Sequence, residues 1–173
     1  PRKLEASAYN ERRSQCEAAV AEIARTDPGV TFLRDVTPEM LEAARPRLDP
    51  VVAARAEHIV HENARVLAAV EAFEAGDLDS VGRLFYASHA SMRDLFGISS
   101  PELDAPVESA GEVPGVIGAR LTGAGFGGCA TALVRPGAAE DVSQRVAAEF
   151  AKRFGVQPGF DLLRAGAGPG EVG

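Results

Sequence analysis

The sequence predicts an α+β fold, with helices through the first half of the chain and an antiparallel sheet with packed helices in the second. Three observations predict it. Apolar residues recur at helical spacing from about Ser7 to Gly111, the period then changes to short apolar and β-branched runs from Val116, and a glycine-rich hexad joins two of those runs. With 173 residues, 46% of them apolar, the chain has enough material for one domain of ordinary size around a sizeable core.

In the segment Ser7 to Arg25, Tyr9, Cys16, Val20 and Ile23 fall on one stripe, and Arg13, four residues after Tyr9, shares that face. Glu11, Gln15, Ala18 and Glu22 lie away from it and carry the solvent side. Asp49-Pro50 starts the longest helix, because Asp accepts bonds from free N–H groups and Pro at the first helical position has no N–H to leave unpaired. Val52, Ile59, Val66, Val70 and Phe73 form its expected buried stripe. Gly76-Asp77 stops that helix and caps the next, in which Leu78, Val81, Leu84, Phe85, Met92 and Leu95 repeat.

Ser100-Pro101-Glu102 opens a short helix ending near Gly111. Val116–Leu121 and Cys129–Val134 read as strands, and Pro136-Gly137 ends the second. Val142, Val146, Phe150 and Phe154 give a helix, and Phe160–Arg164 gives a last strand after the turn Gln157-Pro158-Gly159. The sheet is expected to be covered on one face by helices. Residues 165–173, rich in Gly and Pro, read as a flexible tail, and the start Pro1-Arg2-Lys3 reads as that of a chain cut from something larger.

Net charge is −7 with a pI near 5.0, so the electrostatic footprint of a nucleic-acid binder is missing. The longest apolar runs, such as Cys129 to Val134, fall far short of the roughly 20 residues a membrane helix needs. Cys16 and Cys129 are too few for a disulfide framework, which suggests a reducing, cytoplasmic setting, and both are expected as small buried residues.

The hexad Gly123-Ala124-Gly125-Phe126-Gly127-Gly128 needs a physical cause, since each glycine loses more chain entropy on folding than its alternatives. Either the backbone takes positive φ there, or something approaches it closely. An inert tight connection is one reading, and a nest of N–H groups facing an anion such as phosphate is the other. Gly123, Gly125 and Gly128 satisfy G-x-G-x-x-G, but the dinucleotide fingerprint must open a helix and this loop opens a second strand.

Read with its flanks, Gly118 to Cys129, this loop closely resembles the third conserved motif of galactokinases in the GHMP superfamily. Tyr9-Asn10-Glu11-Arg12-Arg13-Ser14-Gln15-Cys16-Glu17 is similar to that family's Y-N-x-R-R-x-x-C-E helix start. Ser88-His89-Ala90-Ser91-Met92-Arg93-Asp94 and Ser100-Pro101-Glu102-Leu103-Asp104 resemble its S-H-x-S-L-R-D and C-P-E-L-D segments. The resemblance runs in order from about Tyr9 to Arg164. It departs at Leu95-Phe96-Gly97-Ile98-Ser99, where the family has an acidic-aromatic stretch, and at Ser100, where it has cysteine.

The resemblance implies the C-terminal part of an enzyme that transfers the γ-phosphoryl group of ATP to the 1-hydroxyl of galactose. It implies a GHMP C-terminal domain over 1–164 with a ferredoxin-like sheet, facing an N-terminal domain across a cleft. By resemblance Tyr9 contacts the sugar and the 123–128 loop lies near the phosphates and sugar. ATP and Mg²⁺ are implied as ligands bound mainly by the N-terminal part, which also holds the serine-rich phosphate loop, the aspartate base and an arginine. No catalytic residue is placed in this chain, which is expected to be inactive alone. Another GHMP sugar kinase and a non-catalytic galactose-sensing paralogue remain as alternatives.

His58, His61 and Glu62 share a helix flank, but H-x-x-H-E matches neither zinc-protease order, so no metal site is assigned. His89 is expected to be a packed or hydrogen-bonded structural residue. Arg12 and Arg13 are expected to cover the core with their stems and to pair with an acid such as Glu17.

Overall fold

The structure, a computed structural model, describes residues 2–164 and 166; the expected tail at 165–173 otherwise lies outside the described residues. The helical half contains α1 (Arg2–Ile23), α2 (Pro38–Ala44), α3 (Pro50–Glu74), α4 (Leu78–Ser91), a π-helical turn over Met92–Phe96, and α5 (Pro101–Gly111). Strands β1 (Val116–Thr122) and β2 (Cys129–Val134) pair antiparallel, and α6 (Ala139–Phe154) follows.

Local chemistry sets most of these boundaries. Asp49 accepts from the N–H of Val51 at 2.9 Å with Pro50 at the first helical position, and Asp77 does the same for Ser80 at 3.0 Å. Ser100 is the N-cap of α5, but its hydroxyl makes no capping bond and is buried without a partner; its carbonyl accepts from Leu103 and Asp104.

Among the described residues, three clusters form the core. Ala19 and Ile23 of α1 pack with Val30, Leu33, Val36, Leu41, Ala56 and Val60. Val107 and Ala110 of α5, Ala119 of β1, and Val142 and Val146 of α6 form a second. Met92, Ile98, Leu103 and Leu121 form a third, flanked by Phe96 and Phe126, and this small core lies directly under the 123–128 loop.

Several expectations give way. Tyr9 and Arg13 are exposed, and α1 turns Arg12, Cys16, Ala19 and Ile23 inward, a stripe rotated toward smaller residues that admit α3. On α3, Ala53, Ala56, His58, Val60 and Ala72 are buried whereas Val66, Val70 and Phe73 are about half exposed, because α4 packs on another face of that helix and no described element covers theirs. Cys16 is half-buried and Cys129 is exposed.

Phe160–Arg164 is not a strand: an apolar run marks β preference, but no described strand edge pairs with it, and Leu162 and Leu163 face solvent. The described sheet is therefore a two-stranded pair, short of a complete ferredoxin-like sheet.

Helices also reach β1 from both sides. Gly118 meets Gly82 and Phe85 of α4, and Arg120 reaches Glu62 of α3. The alternate residue Ala119 joins α5 and α6. Close packing explains this departure from a one-face sheet: a Cβ on Gly82 would lie 2.0 Å from the Ile117 carbonyl oxygen, so two small residues let α4 sit against the strand.

Candidate functional site

The 123–128 loop closes the hairpin at the Thr122–Cys129 pair. Gly123, Gly125 and Gly127 have φ of 79°, 77° and 108°, and Phe126, the one non-glycine at positive φ among the described residues, has 57°. The glycines thus meet a conformational requirement, and at Gly125 they meet both of the expected causes. A Cβ there would stand 2.3 Å from the Ile98 carbonyl oxygen, whereas at Gly123 and Gly127 it would enter open space. The Phe126 N–H donates to that same Ile98 oxygen at 2.8 Å, so this amide is committed within the protein.

The loop's entry is held by a buried histidine. The Leu121 N–H donates to His89 Nδ1 at 3.2 Å, which assigns the proton to Nε2, and Nε2 lies 3.2 Å from Asp104 Oδ1 in poor alignment for a hydrogen bond. Burial lowers the His89 pKa, with Asp104 opposing, so the ring is held neutral as the Leu121 contact requires. Asp104 also accepts from the Ser99 hydroxyl. His89 is in this sense a hydrogen-bonded support of the strand end.

Tyr9 lies on α1 and is 58% exposed, so it is open to a ligand. Arg12 is its neighbour three residues on, turned inward, with its guanidinium carbon 6.0 Å from the Phe126 ring centroid. Helix α1 therefore presents Tyr9 next to the residue that touches the loop. Arg13 is exposed and pairs with Glu17 at 2.8 Å, as the sequence reading expects, while Arg12 turns inward to the carbonyls of Phe96 and Gly97.

His58, His61 and Glu62 are not brought together as a ligand set. His58 is buried, bonded through Nδ1 to Ser91 Oγ at 2.8 Å and stacked on Phe96, and desolvation by burial pulls its pKa down to about 4. His61 is exposed. Glu62 accepts from Ser88, Arg65 and Arg120. Burial pushes its pKa up, but these bonds and charges outweigh it and hold the carboxyl below its usual range. Among the described residues no group of His, Cys, Asp and Glu is placed to hold a metal ion.

Comparison with known proteins matches residues 69–152 to the family described as GHMP kinases C terminal, spanning the end of α3 through most of α6. These residues form a GHMP kinase C-terminal domain. The chain is also 42% identical over 171 residues to a galactokinase of Roseiflexus sp., and 41% identical over 173 residues to one of Clostridium beijerinckii. Each alignment covers 99% of this chain and 44% of the relative, so the chain spans less than half the length of the curated relatives it matches. The crystal structure of Lactococcus lactis galactokinase complexed with galactose superposes with a TM-score of 0.82 at 37% identity, covering 87% of this chain and 39% of that one.

The sequence reading finds the loop but misses its support. Ile98 holds the loop from beneath, Arg12 and Arg55 brace the 95–98 segment to which Ile98 belongs, and none of the three is singled out by periodicity. A signal does exist. Gly97, at the end of a helical pattern, marks a left-handed cap whose preceding carbonyls need donors, and inward-turned arginines on neighbouring helices are the available ones.

Proposed function

We propose that this chain is the C-terminal portion of a galactokinase, which transfers the γ-phosphoryl group of ATP to the 1-hydroxyl of galactose. The observation carrying this reading is the alignment of 99% of the chain with galactokinase at 42% identity. The likeness in fold to a galactokinase complexed with galactose supports the sugar. In this reading residues 1–164 act as one GHMP C-terminal domain of a cytoplasmic enzyme, and among the described residues no helix is long and apolar enough to cross a membrane.

Tyr9 contacts the sugar through its hydroxyl, and the backbone of Gly123, Ala124, Gly125, Phe126, Gly127 and Gly128 floors the site near sugar and phosphates. The open space over Gly123 and Gly127 suits a ligand there, and positive-φ backbone can turn N–H groups toward an anion. The Phe126 amide is excluded from that role by its bond to Ile98.

What these residues supply is binding and orientation. Phosphoryl transfer relies on aligning the attacking hydroxyl and stabilising spread negative charge. The phosphate loop, base and arginine that the resemblance implies do not occur in these residues, so this chain alone is inactive in this reading. ATP and Mg²⁺ are bound mainly by the N-terminal part in this reading. The test is product analysis with the full-length protein. Galactose and MgATP should yield galactose 1-phosphate by phosphorus NMR, and no sugar phosphate, or preferred turnover of a different sugar, would overturn the assignment.

A further inference from the structure

We propose that Arg12 is a positioning residue that ties the glycine loop to the helix carrying Tyr9. The proposal rests on the galactokinase reading for its kinetic consequence, but its structural link stands on contacts alone.

The segment between the π-helical turn and α5 ends a helix, and its carbonyls lack intrahelical donors. Gly97 is left-handed at φ 66°, which turns the chain out of the helix. Arg12 Nε donates to the Phe96 carbonyl at 2.7 Å, and Nη2 donates to the Gly97 carbonyl at 3.2 Å. One guanidinium fork thus fixes two consecutive carbonyls, and the next one along the chain, Ile98, accepts from the Phe126 amide. Three successive carbonyls therefore link α1 to the loop.

The remaining contacts leave Arg12 little freedom. Its side chain is 14% exposed and lies 3.1 Å from Glu11 and 3.2 Å from Gln15 Oε1. Arg55 of α3 donates to the Leu95 carbonyl and to Gln15, bracing the same segment from the other side. Two like charges converge on one short segment because it presents a row of unpaired carbonyls.

Lysine cannot replace this fork, since a single ammonium on a flexible stem does not hold two carbonyls in fixed geometry. The loop should therefore depend on the guanidinium shape as well as on its charge. A loop displaced by about 1 Å can lower turnover by as much as roughly a hundredfold without changing which groups are present.

The experiment uses the full-length protein with Arg12→Met, Arg12→Lys and, as a matched control on the same helix, Arg13→Met. Amide hydrogen exchange is read at Phe126 and compared with Leu121, whose N–H is bonded to buried His89. Steady-state kinetics with galactose and MgATP are measured well below the melting temperature of each variant. In Arg12→Met the Phe126 amide should exchange at least about tenfold faster while Leu121 holds, and kcat/KM for galactose should fall by about tenfold or more. Arg12→Lys should fall between, and Arg13→Met should match the parent in both readouts.

A folded Arg12→Met protein with Phe126 as protected as in the parent would overturn the structural link. Faster Phe126 exchange with unchanged kinetics would overturn the positioning role. If Arg12→Met does not fold, Arg12→Lys carries the same two tests. Failure of the parent protein to phosphorylate galactose would defeat the functional reading instead, and the exchange comparison would still decide whether Arg12 holds the loop.

Discussion

At the scale of single residues, the glycine loop separates two kinds of constraint that the sequence alone merges. Gly125→Ala would drive a Cβ into the Ile98 carbonyl, so lost activity in that variant would report a distorted loop and say little about ligands. Gly127→Ala is the informative substitution, because its Cβ meets no protein atom and only the φ of 108° resists it. It should cost about 1–2 kcal/mol of stability while lowering kcat/KM of the full-length enzyme beyond the loss of folded protein. Thermal melts and kinetics on the same preparations check this, and normal kinetics in the folded variant would reduce the loop to a turn.

Tyr9 gives a second test at this scale. Removing a neutral hydroxyl contact in Tyr9→Phe should weaken galactose by roughly two- to tenfold in KM, at about 0.5–1.5 kcal/mol, with the KM for ATP unchanged. An unchanged galactose KM would remove Tyr9 from the site.

His58 supplies a pH dependence whose sign follows from burial. Its folded pKa of about 4 lies below the ordinary 6.5, owing chiefly to desolvation, with Arg65, Arg120 and Arg55 acting in the same direction and Glu62 against. Between those values the unfolded chain binds a proton that the folded one refuses, so stability present above pH 6.5 is lost on acidification toward pH 4. His58 accounts for up to about 3 kcal/mol of that loss, and buried His89 adds to it in the same direction. Urea midpoints at pH 7 and pH 4.5 should show a smaller difference in His58→Gln than in the parent. Equal differences would mean that His58 titrates normally.

At the scale of elements, the helices and the hairpin are legible because their signals are local. Asp49-Pro50 and Gly76-Asp77 satisfy backbone groups within a few residues, and the glycine hexad sits where the β1–β2 register requires a connection. What covers an element is not local. Val66, Val70 and Phe73 do repeat on α3, yet periodicity says only that they share a side, and no described element covers it. Phe160–Arg164 fails as a strand for a related reason, since a strand exists through its partner's hydrogen bonds. The loop's support was hidden because Arg12 and Gly97 are 85 residues apart and meet only in the fold.

The contact between α4 and β1 makes an element-scale prediction that opposes intrinsic preference. Alanine is a better helix former than glycine by about 1 kcal/mol, so Gly82→Ala would stabilise an isolated helix. Here the added methyl meets the Ile117 carbonyl at 2.0 Å, and displacing α4 should cost about 1–3 kcal/mol net, or several degrees in melting temperature. A variant as stable as the parent would show that α4 does not pack this closely.

At the scale of the whole molecule, the chain holds the exposed tyrosine and the braced glycine loop, while the groups that drive phosphoryl transfer lie outside its sequence in the proposed enzyme. That division is what the family resemblance implies, for a chain that spans 44% of each galactokinase it matches. Positioning groups without a phosphate loop or a base leave the barrier to transfer largely intact. The direct test is galactose-dependent ADP release from MgATP, measured at equal concentrations for this chain alone and for the full-length protein. The full-length protein should turn over galactose and this chain should stay at background. Turnover by the purified chain alone, or a folded full-length protein without galactose-dependent release, would contradict the account.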